Sequence, residues 1–156
     1  MQMKQHLIDT FKYNDYANKK VLAKIRELPD KTESIRIFSH LINSMNKWIA
    51  RIEQYPQAPK LDWWEPVFAL DDLEGEWDKC LRAWIELLES KSEDELFEEV
   101  KINADDGTHY ALKLKDIALQ LNYHSIHHRA NIQALIRAQG LVPDFVDYIR
   151  TAYRKI

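Results

Sequence analysis

The sequence predicts an all-α fold: a four-helix bundle with a long crossover connection, a small β-hairpin before the fourth helix and a short C-terminal helix. Three observations predict it. Four stretches carry apolar residues at three- and four-residue intervals, the period of one helix face. Pro56, Pro59 and Pro66 interrupt a long connection between the second and third of these stretches. Asp106-Gly107 separates two short runs in which apolar and polar residues alternate.

The first helix spans His6 to Leu28, with Leu7, Phe11, Asn14, Asn18, Val21, Leu22 and Ile25 along one face and Pro29 beyond its end. Its polar interruption, Tyr13-Asn14-Asp15-Tyr16-Ala17-Asn18, is read as interhelical hydrogen bonding ahead of ligand contact. The second helix runs from Thr32 to about Tyr55 through Phe38, Leu41, Ile42, Met45, Ile49 and Ile52. His40 lies on it, roughly 130° from the middle of the apolar stripe by angular counting. That angle alone favours exposure, yet a bundle helix has two neighbours and its flank can line the interior, so both placements stay open.

Residues 56–70 form an irregular crossover holding Trp63 and Trp64, which are expected to cover the open end of the core; walls of a substrate pocket are the alternative. Asp71 or Asp72 caps the third helix, where Leu73, Trp77, Cys80, Leu81, Trp84, Leu87 and Leu88 recur by three and four. Cys80, between two tryptophans, reads as a small core residue. The hairpin follows, with His109 on its second strand and expected at the surface. The fourth helix, Leu114 to Gln139, ends before Gly140, and a terminal helix from Asp144 to about Tyr153 is expected to dock through Phe145, Val146, Tyr148 and Ile149.

Composition bounds the function. Among 156 residues, 46% are apolar and 30% charged, the balance of a globular chain of one domain, residues 1–156. No apolar run is long enough to span a membrane. The first residues carry no apolar signal segment and the single cysteine fits a reducing compartment, so the expected location is the cytoplasm. The net charge of −3, with both signs interspersed, argues against nucleic-acid binding. Glycine occurs only at 75, 107 and 140, which excludes a P-loop and a dinucleotide fingerprint.

Chemistry concentrates on the fourth helix, where three of the six histidines fall within five residues. Leu114, Ile117, Ala118, Leu121, His124, His128, Ile132, Leu135 and Ile136 share one stripe at about 100° per residue. His124 and His128, one turn apart, can aim their imidazoles at one point, whereas His127 falls off the stripe. Burying two unpaired imidazoles is costly, and a divalent ion uses both lone pairs. No glutamate stands three residues before a histidine, so the paired carboxylate sites of di-iron bundles are absent. What remains is a histidine-only site needing a third ligand from another helix. Such a set suits Zn²⁺ or a similar ion and leaves a position open for water or substrate.

Tyr13-Asn14-Asp15-Tyr16-Ala17-Asn18 on the first helix, Phe38-Ser39-His40-Leu41 followed by Trp48 on the second, the Gly107 hairpin and His124-Ser125-Ile126-His127-His128-Arg129 on the fourth resemble the DinB-like superfamily, over essentially the whole chain. The resemblance implies that His40, His124 and His128 are the metal ligands, with Zn²⁺ or Ni²⁺ as the ion. It also implies a metal-dependent S-transferase using a low-molecular-weight thiol such as bacillithiol or mycothiol, with a small-molecule substrate and a homodimeric assembly. A hydrolase using metal-activated water is a further possibility, and a metal-binding bundle without turnover is the alternative. Members commonly follow the second histidine with Arg-Gly-Gln, where this chain has Arg129-Ala130-Asn131.

Overall fold

In a computed structural model, which describes residues 2–155, four long helices form a bundle: α1 (Met3–Glu27), α2 (Thr32–Ile52), α3 (Leu73–Ser90) and α4 (Leu114–Ala138). Strands β1 (Glu99–Asn103) and β2 (His109–Lys113) pair antiparallel before α4, and α5 (Ile149–Ala152) is a single turn near the end of the chain. No helix among the described residues is long and apolar enough to cross a membrane.

Side-chain contacts fix the directions of the helices. The backbone N–H of Lys4 at the start of α1 donates to Glu93 just past α3, while Arg26 at its other end reaches Glu74 at the start of α3, so these two helices are antiparallel. Phe38 meets Trp77, and the Trp84 indole N–H donates to the Met45 carbonyl, which makes α2 and α3 parallel. Asn14 pairs with Asn122 and Asn18 with Ser125, so α1 and α4 also run parallel. The order is therefore up-down-down-up. The chain must return along the length of the bundle between α2 and α3, and residues 53–72 make that crossover.

Most of the core follows from the apolar spacing. Leu7, Phe11, Leu22 and Ile25 of α1, Phe38, Ile42 and Met45 of α2, Trp77, Trp84 and Leu88 of α3 and Ile117, Ile132 and Ile136 of α4 are buried in one cluster. Both large indoles keep their N–H groups bonded, Trp77 to Asp15 and Trp84 to Met45, so their apolar area is buried without an orphaned donor. Cys80 lies in the same core, and burial pushes its thiol far above the ordinary range.

Helix α2 is buried all round at its middle: every residue from Ile37 to Met45 is inside. The crossover lies along its flank and is fastened by α2 side chains. The Ser39 hydroxyl accepts from the Phe68 N–H (3.0 Å), the His40 imidazole bonds the Trp63 carbonyl (2.7 Å), the Asn43 amide donates to the Pro66 carbonyl (3.1 Å), and Lys47 donates to the Leu61 carbonyl. Lys47 and Arg51 also grip Asp105 at the hairpin tip, at 2.7 and 3.0 Å. That tip is a three-residue loop: Gly107, with φ +83°, supplies the left-handed residue after a turn closed by its N–H onto the Ala104 carbonyl.

Two boundaries depart from the sequence expectations. Asp72 precedes α3, but its side chain makes no capping bond. The terminal helix shrinks from Asp144–Tyr153 to Ile149–Ala152; the segment before it has no regular structure, and its Val146 carbonyl accepts from the Tyr13 hydroxyl at 3.0 Å. Val146 is buried and the Tyr148 ring meets Tyr13 edge to face at 5.2 Å, while Phe145, Tyr148 and Ile149 remain about half exposed.

Candidate metal centre

Antiparallel α2 and α4 place His40 opposite His124 and His128. One ring nitrogen of each lies within 4.8 Å of the others, and His40 Nε2 stands 3.0 Å from His124 Nε2. The rings meet edge to face, with centroids 4.8, 4.7 and 4.4 Å apart. His40 is 6% exposed, which resolves its placement: the crossover covers the flank that angular counting assigned to solvent.

The hydrogen bonds define the donor set. A carbonyl only accepts, so the Trp63 oxygen at 2.7 Å fixes the proton of His40 on Nδ1 and leaves Nε2 with a lone pair aimed at His124. If His124 Nε2 is also unprotonated, two lone pairs face each other across 3.0 Å, a repulsion that a shared cation relieves. His128 Nδ1 is buried without a partner among the described residues. Three imidazoles with one ring nitrogen each turned toward the others fit a nitrogen-preferring divalent ion.

Electrostatics favour the neutral, ligating form. Burial lowers the pKa of all three: His124 falls to about 4, with His128 and His40 adding to the effect, and His128 to about 4, with His40, His127 and Arg36 adding. For His40, burial outweighs the opposing bond to Trp63.

Trp64 and Trp63 stand against the histidines instead of over an open end of the core. The Trp64 ring stacks on His40, with centroids 3.8 Å apart and planes at 12°, and meets His128 edge-on at 6.0 Å. Trp63 borders a cavity of about 250 Å³ beside His40 and His124, together with Ser44, Trp48, Gln120 and Leu121. The remaining histidines lie elsewhere: His127 is exposed, His109 bonds Asn103 across the hairpin at 2.7 Å, and neither it nor His6 belongs to the cluster.

On α4 the stripe expected through His124 and His128 is displaced. Asn122, Ser125 and Arg129 occupy the buried middle, and the two histidines sit on its half-buried flank. Partners from α1 make this burial possible: the Arg129 guanidinium donates to Asn14 (2.8 Å), Asn18 (2.8 Å) and the Tyr13 hydroxyl (2.9 Å). The sequence carried half of this signal in the polar interruption of α1. Its match on α4 was hidden because hydropathy ranks a histidine as more buriable than an arginine.

The DinB family matches the chain over residues 3–155. The chain belongs to the DinB family. Members of that family are metal-binding helical proteins. No curated protein and no solved structure matches the chain. In this DinB-family chain, Ala130 and Asn131, which follow Arg129, are both exposed.

Proposed function

We propose that His40, His124 and His128 hold one Zn²⁺ or Ni²⁺ ion and that the protein is a metal-dependent thiol S-transferase. The convergence of one ring nitrogen from each of three imidazoles within 4.8 Å, next to a cavity, carries this reading. An ion so held supplies Lewis-acid charge that lowers the pKa of a thiol at neutral pH.

The chain's own groups do the rest. The Trp63 carbonyl keeps the proton of His40 on Nδ1, and Trp64 covers one face of that ring, so reactants approach from the Ser44 side. The thiol proton leaves to solvent, the sulfur bonds to the electrophilic carbon, and the leaving group departs with the bond's electrons.

Turnover tests it. Metal-loaded protein should conjugate a panel of alkyl and aryl electrophiles with a cellular thiol such as bacillithiol, and metal-stripped protein should not. Metal uptake without thiol consumption across the panel would leave a binding protein; hydrolysis of the same electrophiles without thiol would make it a hydrolase.

A further inference from the structure

The cavity beside His40 and His124 restricts what can enter it. Trp48 and Trp63 form a corner, with planes at 57° and centroids 6.1 Å apart, and Leu121 adds a third apolar wall. Size comes first. An apolar cavity of roughly 150 Å³ takes one benzene ring, so about 250 Å³ holds one ring with a short substituent.

Charge comes second. Besides the two imidazoles, the polar lining among the described residues is Ser44 and Gln120, neither of them ionisable in water. Lys47 and Arg51 lie against the Trp63 ring at 4.6 and 4.8 Å and share Asp105, but neither borders the cavity, so no cation stands in its lining. The Ser44 hydroxyl, one turn beyond His40, is 2% exposed and has no partner among the described residues. Its oxygen is sealed from the cavity, so Ser44 adds no polar contact there and Gln120 is the polar side chain besides the imidazoles that a ligand meets.

We propose that this cavity seats the uncharged aromatic part of the second reactant, with its ring in the Trp48–Trp63 corner. As a substrate class this rests on the transferase reading above, but the seat exists without the ion and is tested without it. The probes are phenylmethanol and benzoate, equal in size and opposite in charge character, titrated into metal-free protein while the indole N–H resonances are followed.

Phenylmethanol should shift the Trp48 and Trp63 signals saturably and leave the core Trp77 and Trp84 in place, and benzoate should bind about tenfold more weakly. Gln120→Phe, which fills the cavity from the exposed side of α4, should cost phenylmethanol about tenfold in affinity with the thermal midpoint and zinc uptake unchanged. Benzoate binding as well as phenylmethanol, shifts confined to Trp77 and Trp84, or an indifferent Gln120→Phe variant would each overturn the proposal. Binding as expected in a protein that takes up no zinc keeps the seat and removes the metal reading; zinc uptake with no phenylmethanol binding does the reverse.

Discussion

An imidazole ligates only while it is neutral, so the low pKa values of His124 and His128 matter for both metal uptake and stability. Both fall to about 4 in the folded chain, whereas an unfolded histidine titrates at about 6.5. The unfolded chain therefore takes up protons first as pH falls. Their contribution to metal-free stability is fully present above about pH 6.5 and is lost as pH falls toward 4. Thermal midpoints of stripped protein should follow this course, and a His124→Asn/His128→Asn variant should flatten it; a level wild-type curve across the window would contradict the cause assigned. Metal analysis supplies the second check. His124→Ala and His128→Ala should lose the ion and exposed His127→Ala should keep it, and full occupancy in either of the first two would remove the assignment. The pair on α4 was legible from its spacing. His40 was not, since its burial depends on a crossover segment whose path no helical wheel contains.

At the level of elements, the rotation of α4 is set by the polar joint with α1. Arg129 satisfies Asn14, Asn18 and Tyr13 at once, and the adjacent His128 takes its direction from that anchor. A lysine has the charge but not the planar fork. Arg129→Lys should lower the urea-unfolding free energy by about 2 kcal/mol, since buried acceptors lose their donor, and should weaken zinc binding as α4 turns. A loss under about 0.5 kcal/mol would place Arg129 among ordinary surface changes. The four long helices, their near-correct ends and the hairpin were readable because apolar period and turn residues report local geometry directly. The C-terminal helix was overextended because its apolar residues suggested a docking face, while the Val146 carbonyl is tied to the Tyr13 hydroxyl within an irregular segment.

Across the whole molecule, the up-down-down-up order obliges residues 53–72 to travel the bundle's length, and the ties from Ser39, His40 and Asn43 hold that segment against the three histidines. Cutting two of them with Ser39→Ala/Asn43→Ala should expose Trp63, Trp64 and Phe68 to chymotrypsin in metal-free protein, with slower cleavage once zinc is bound. Fragments arising only at the chain ends would show that the crossover is held by other contacts. The sealed thiol of Cys80 has a separate consequence. Because burial keeps it protonated and out of reach, an alkylating reagent added in excess records how often the bundle opens. An ion that binds only the closed form should slow that alkylation in proportion to its occupancy. Alkylation that proceeds at one rate whatever the zinc concentration would mean that the ion stays bound while α2 and α3 part, and that the histidines on α2 and α4 hold together as a unit of their own.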